Sequence, residues 1–325
     1  NMSERTKIAW CNSAMNFWSG CTKVSAGCAN CYAEARDRRF TGGLHWGKGA
    51  PRLKSKSAVR DALRLNKLPL VCNFCGTANP PHQCMCSGCS VKIQHFTGAH
   101  RRRVFSLSLG DWLDPEVPVE WLAEMLDTVR QCDQLTWILC TKRPEKWYER
   151  MAQAANIAGP ELNKWLSDWI HGTPPPNIIL LASVENQEQA DKRIPELLRI
   201  PAACRGLSLE PLLGPVRLER YLDAPAALIH WLIVGGESGP NARPCHVEWV
   251  QSLVRQGLDA GVAVFVKQLG ENALADEASP DAWPPGTELV QHVGKPARVI
   301  LRDKKGGDPD EWRLDLRLRQ WPKGF

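Results

Sequence analysis

From residue 104 onward, short apolar runs alternate with longer amphipathic stretches. The runs at 104–109, 135–140, 178–184, 206–209, 231–234 and 262–266 are four to seven residues long and apolar on both faces. That is the pattern of strands in a parallel sheet covered on both sides. Between them, 119–131, 161–170, 187–198 and 247–260 carry the period of amphipathic helices. Asp114-Pro115 and Arg143-Pro144 place prolines where helices start, and Gly261 stands where one stops.

Strand–helix alternation means βαβ units, in a doubly wound sheet or a (β/α) barrel. Polar residues gather just after each run: Asp111; Thr141, Lys142 and Arg143; Glu185; Glu210; the stretch from Gly235 to Gly239; and Lys267. These are carboxyl ends of strands, where parallel-sheet proteins place their active sites. Six such ends favour a ring around one mouth, so the expected fold is α/β, a full or partial (β/α) barrel. A cysteine-rich insertion (70–92) and a Pro-, Asp- and Glu-rich loop (272–295) interrupt it, and 297–321 reads as a hairpin. The expected divisions are 1–69, the cluster-bearing start; 70–92, the insertion; 93–271, the rest of the barrel; and 272–325, a loop and extension.

Composition narrows the class. The chain is 43% hydrophobic and 23% charged, ordinary for a globular core, with no apolar stretch of membrane-spanning length. Its polar start shows no signal peptide, so a cytoplasmic location with no membrane partner is expected. The net charge of +6 is uneven: residues 32–103 carry +11 and the remainder −5. Such a segment suits a polyanion or phosphate-bearing substrate, the plainer alternative being a solvated basic face.

Thirteen cysteines change the picture. Eight of them crowd into two short clusters, which speaks for metal rather than a disulfide framework. Cys21, Cys28 and Cys31 have the spacing C-x6-C-x2-C. Three thiolates in a short loop can hold three irons of a [4Fe–4S] cluster and leave the fourth iron open. A zinc site that adds Cys11 is the alternative. Cys72, Cys75, Cys86 and Cys89 form C-x2-C-x10-C-x2-C, a zinc-ribbon signature. His82 and Cys84 complicate that ligand set, and a second iron–sulfur centre is its alternative. The zinc module either grips nucleic acid or a partner, or merely folds an insertion too small for its own core.

The run from Asn16 through Trp18, Gly20, Cys21-Thr-Lys-Val-Ser, Gly27-Cys28, Asn30-Cys31 to Tyr32-Ala-Glu34 resembles the opening of a family of bacteriophage and prophage proteins with a three-cysteine motif. The resemblance extends through Thr141–Pro144, Ser183–Asn186, Ser208–Pro215, Gly235–Gly239 and Val266–Gln268. More distantly, the opening is similar to that of spore photoproduct lyase and its relatives, radical S-adenosylmethionine enzymes with a (β/α) barrel. The resemblance implies a location in the host-cell cytoplasm if the chain is phage-encoded. It also implies a chemistry in which the open iron chelates S-adenosylmethionine, an electron donor protein reduces the cluster, and a 5′-deoxyadenosyl radical abstracts a substrate hydrogen.

The same resemblance assigns roles. By position, Asp111 meets the cofactor's amino group or else orients a loop, and Ser183 and Glu185 meet its ribose or carboxylate. Lys142 and Arg143 contact the cofactor carboxylate or a substrate phosphate. Gly235 and Gly236 allow close backbone approach to a ligand, with Glu237 as polar lining. Glu210 and Lys267 line the substrate side, and Cys140 or Cys245 donates a hydrogen atom to a product radical unless both are simply core residues. Trp18 and Trp46 are candidates for stacking on a base. The expected activity is modification of a nucleic-acid base or nucleotide, for example a hypermodified thymine in phage DNA. The alternatives are a zinc-stabilised nucleic-acid-binding protein without catalysis and a base-repair lyase.

Overall fold

The computed structural model describes residues 6–68, 70–71, 78–80, 85, 87–90, 101–223, 228–276, 280–291 and 293–325. Seven parallel strands form its centre: β1 (Ser13–Met15), β2 (Arg102–Ser106), β3 (Leu135–Thr141), β4 (Ile178–Ser183), β5 (Cys204–Leu209), β6 (Trp231–Gly235) and β7 (Ala263–Gln268). They lie side by side in chain order, each hydrogen-bonded to the next in register. Uniformly right-handed crossovers in that order put the connecting helices on one face. The sheet curls into a half-barrel surrounded by helices.

Helices α1 (Tyr32–Thr41) and α2 (Ala58–Asn66) lie between β1 and β2, and α3 (Val119–Gln131) leads to β3. Then come α4 (Trp147–Ile157) and α5 (Pro160–Ile170) before β4, α6 (Gln187–Arg199) before β5 and α7 (Val247–Asp259) before β7. The strand period of two sorts the core into two layers. Val104, Trp137, Leu139, Leu180, Leu232 and Val264 join the helices in one buried cluster. Their alternates Ile138, Ile179, Leu181, Trp231, Ile233 and Phe265 form a second cluster inside the curl. Being apolar on both faces is what makes these runs so visible in the sequence.

All six expected strands and four expected helices are present, with ends shifted by at most three residues. Strand β1 escapes notice because it is three residues long and includes Ser13. Helix α1 escapes because its buried face carries acids: Glu34 pairs with Lys23 and Arg38, and Asp37 bonds His45 and Thr41. No helix starts at Pro115. Asp114 instead accepts the Glu116 amide at 3.2 Å in a turn, and α3 follows Pro118.

The C-terminal part is also corrected. Residues 272–295 are not all loop: Ala273–Ala275 and Glu288–Val290 join Cys245–His246 and Ala297–Ile300 in a four-stranded sheet. Ala297–Ile300 pairs with Glu288–Val290, and Leu314–Leu316 is a turn of 3-10 helix rather than the other arm of a hairpin. Beyond it the chain runs beside β7, with Val266 N donating to Leu318 O at 2.8 Å and Gln320 N to Val264 O at 2.9 Å. Trp321 Nε1 then reaches Trp10 O at 3.3 Å, with the Arg103 guanidinium 4.5 Å above its ring. The tail therefore spans from the last strand to the segment preceding the first.

Among the described residues no helix is long and apolar enough to cross a membrane. Cys72, Cys75 and Cys86, with His82 and Cys84, lie outside the described residues, so the zinc-ribbon reading has only the partly exposed Cys89 inside them.

Candidate cysteine-lined site at the strand ends

A cavity of about 630 Å3 opens at the carboxyl ends of the strands. Cys21, Cys28 and Cys31 line it, together with Asp111, Cys140, Lys142, Arg143, Ser183, Glu210, Gly236, Glu237 and Lys267. Candidate residues from six separate strand ends thus meet around one space. Cys245, Glu185 and Gly235 do not line it. Cys245 is buried in the helix-side core, as the plainer reading of that thiol has it.

The cysteine loop is clamped to the barrel by charged groups, several of them candidates for cofactor binding. Arg143 donates to Asp111 at 3.0 Å, to Thr22 O at 2.7 Å and to Cys21 Sγ at 3.6 Å. Asp111 also accepts from Thr141 Oγ1 at 2.7 Å and the Lys142 amide at 2.9 Å, so it orients loops. Glu185 has a fully buried side chain, pairs with Arg193 at 2.7 Å and accepts the Gly27 amide at 3.1 Å. Glu237 accepts from Asn30 Nδ2 at 2.9 Å and pairs with Arg243, which itself donates to Ala26 O at 2.8 Å. Arg52, wholly buried, joins Asp114 at 2.9 Å and Thr22 Oγ1 at 2.8 Å.

Each cysteine of the motif is therefore flanked by a tie to a different strand end. Arg52, Asn30, Arg193 and Arg243 belong to this clamp, and reading strand ends in the sequence does not find them. Arg193 had a signal: it shares the buried face of α6 with Ala190, Ile194 and Leu197. An arginine on an apolar stripe needs a buried acid opposite it.

Burial pushes the Cys21 thiol up to about 12, against the pull of Arg143. Cys31, the N-cap residue of α1, is also raised by burial, although the amides of Glu34 and Ala33 draw it back down. Metal binding must therefore displace protons from these thiols. The three sulfurs do not all lie within 4.8 Å of one another. A closed zinc tetrahedron with bonds of about 2.3 Å sets its sulfurs about 3.8 Å apart. Cys11, the alternative fourth ligand, does not line the cavity and is buried among Trp10 and the inner-face residues. The motif's three thiols thus face the cavity without Cys11, and the other described thiol lining it, Cys140, lies beside Ser183 at the end of β3.

Inside the cavity, Lys142 Nζ donates to Ser183 Oγ at 3.2 Å, and Ser183 Oγ lies 3.4 Å from Cys140 Sγ. Burial acts to lower the Lys142 pKa, but the acidic groups around it, Cys28 first, more than reverse that and raise it above its ordinary value. Burial raises the Cys140 thiol, so it keeps its hydrogen. Lys267 and Glu210 form an ion pair on the wall. Trp46 lines the space, whereas Trp18 is buried in the core and unavailable for stacking.

Gly236 brings the backbone against the far wall: a Cβ there would lie 2.2 Å from Leu269 O and 2.9 Å from Cys245 Cβ. Gly236→Val is expected to destabilise by about 1–3 kcal/mol through overpacking. A fall of about 2–6 °C in the unfolding midpoint would register it.

Elsewhere among the described residues, His246, Glu248 and Asp276 bring three ligand-type atoms within 4.8 Å. They already bond one another, His246 Nδ1 to Asp276 Oδ1 at 2.7 Å and the Asp276 amide to Glu248 Oε1 at 2.8 Å.

Fold and site together define a parallel half-barrel protein with a cysteine-lined cavity at the carboxyl ends of its strands. The chain belongs to the family described as protein of unknown function (DUF5131), whose model matches residues 5–305. No curated protein and no solved structure matches it.

Proposed function

We propose that this protein is a radical S-adenosylmethionine enzyme acting on a nucleic-acid base. The observation that carries the reading is the clamped three-cysteine loop, set over a half-barrel cavity that Cys11, the alternative fourth ligand, does not line. Cys21, Cys28 and Cys31 would hold a [4Fe–4S] cluster by three irons and leave the fourth without a cysteine of the motif. Bound with S-adenosylmethionine, such a cluster would pass one electron from a donor protein to the sulfonium, whose C–S bond would break to give methionine and a 5′-deoxyadenosyl radical able to take a hydrogen atom from the substrate.

The chain's own groups do the rest. The ion pairs of Arg143, Glu185 and Glu237 fix the loop, so the sulfurs keep their places without help from the ligand. Lys142 carries a positive charge into the cavity and has no acidic partner within 4 Å among the described residues, so it can meet a carboxylate. Ser183 holds that ammonium in position. Cys140, protonated and lining the space, would give a hydrogen atom to a product radical, and the thiyl radical left behind would be reduced by an electron from the donor protein and a proton. Glu210 and Lys267 offer paired donors and acceptors to a substrate edge. A cavity of about 630 Å3 is within the usual range for small-molecule sites.

The test is anaerobic reconstitution followed by metal counting and a 5′-deoxyadenosine assay under reduction. The expected result is about four irons per chain and cleavage of S-adenosylmethionine that Cys28→Ala abolishes. Zinc in the place of iron, with no cleavage, would sink the reading and leave a zinc-stabilised nucleic-acid-binding protein.

A further inference from the structure

A second depression, of about 1010 Å3, lies outside the cysteine-lined cavity along α2. Among the described residues five cations line it, Lys54, Lys56, Arg60, Arg64 and Lys67, all exposed, against one acid, Glu124, while Arg60 also lies 3.7 Å from Asp61. Glu124 is taken up by Lys54 at 2.9 Å. Arg60, Arg64 and Lys67 stand at i, i+4 and i+7 of the helical stretch, a row on one face about 10 Å long. Beneath them Val59 and Leu63 pack on the core and fix the helix in place. This is the part of the +11 segment that a solvated surface does not explain: its cations are gathered in a concavity rather than dispersed.

The depression is tied to the cysteine loop. Lys54 pairs in register with Trp18, three residues before Cys21, a separation of about 10 Å along a strand. Two residues earlier, the buried Arg52 grips Thr22 inside that loop.

We propose that this groove holds the sugar–phosphate backbone of a nucleic-acid duplex, so that the substrate base arrives as part of a polymer. A duplex strand presents one phosphate per about 3.4 Å of axis, so the helical row matches about three phosphates. Among the described residues the lining has no aromatic side chain on which an unpaired base could stack, which favours duplex over single strand. The base would then leave the stack to enter the cavity, as enzymes acting on bases require. Identifying the bound polymer as the substrate rests on the radical reading; the binding itself does not.

The experiment is fluorescence anisotropy of the reconstituted protein with a labelled DNA duplex of about 20 base pairs, from 50 to 200 mM salt. About four phosphate contacts give a loss of affinity on the order of 100-fold across that range. Lys56→Glu with Lys67→Glu should weaken binding about tenfold or more and flatten the salt slope by about two. Lys164→Glu on α5 should leave both unchanged. Lys56→Gln with Lys67→Gln, which adds no repulsion, should show the same flattening with a smaller loss.

Wild-type affinity in the double variants would overturn the proposal, as would equal competition by a free nucleotide or a preference for single strands. Loss of binding to an acidic electron-donor protein, with DNA binding intact, would assign the groove to that partner and also overturn it. The same samples are assayed for 5′-deoxyadenosine. Groove-dependent DNA binding without cleavage removes the radical reading alone, and cleavage without groove-dependent binding removes the groove alone.

Discussion

Arg143→Met is expected to lower stability by about 3–5 kcal/mol, because it leaves the Asp111 carboxylate buried without its cation. Both side chains are nearly sealed from solvent, 5% and 8% exposed. The loss should appear as a fall of about 6–10 °C in the unfolding midpoint. The test that separates a pair from a mere volume effect is a double-mutant cycle. Asp111→Asn alone should also be costly, but combined with Arg143→Met it should add less than the sum, with coupling of about 0.5–3 kcal/mol. Additive effects would mean that the two residues act independently. Arg143 also touches Thr22 O and Cys21 Sγ, so the variant should retain less iron after reconstitution even at temperatures where it is folded.

Glu185→Gln is the second large effect, again about 3–5 kcal/mol, because it strands Arg193 in a buried site. It adds a pH signature. Burial acts to raise the Glu185 pKa, but Arg193 first, then Ser25, Lys142 and the Gly27 amide, more than reverse it and hold the carboxyl below its ordinary 4.5. An acid depressed in the folded state binds fewer protons there than in the unfolded chain. Its contribution is therefore whole above about pH 4.5 and drains away as the pH falls through the folded value. Urea unfolding at a series of pH values should show wild type losing stability below that point more steeply than Glu185→Gln. Parallel curves would mean that Glu185 does not carry the depressed charge. Other lowered acids, such as Glu116 and Glu237, titrate in both proteins and cancel in the comparison.

Much of the barrel is legible in the sequence because two-sided burial leaves a plain trace. A run such as Ile178–Ser183, buried at every position, suits little besides a strand in the middle of a covered sheet. Strand β1 and helix α1 leave no such trace, because one is three residues long and the other buries Glu34 and Asp37 against cations and His45. Gathering of the polar strand ends around one mouth is foreseeable from Asp111, Lys142, Glu210 and Lys267. The division of labour among them is not. Strand-end position alone cannot distinguish a carboxylate aimed at a ligand from one aimed at the next loop. Glu185 looks the same in sequence whether it meets a ribose or the Gly27 amide; only the buried Arg193 decides it. Trp18 shows the reverse error, since its place beside the motif suggests a stacking surface and its burial makes it a packing residue.

The strap formed by Leu318–Trp321 has a kinetic consequence. Its bond from Trp321 to Trp10 joins residues 311 positions apart, whereas the longest link between neighbouring strands, from Met15 to Arg102, spans 87 positions. Loop-closure entropy makes contacts of long sequence separation slow to form, so the strands can zip in order before the strap docks. Closure across the edges of the half-barrel is then the final step of assembly. Until that step the inner face around Trp231 and Phe265 stays wet, and a chain delayed there exposes its most adhesive surface to its neighbours.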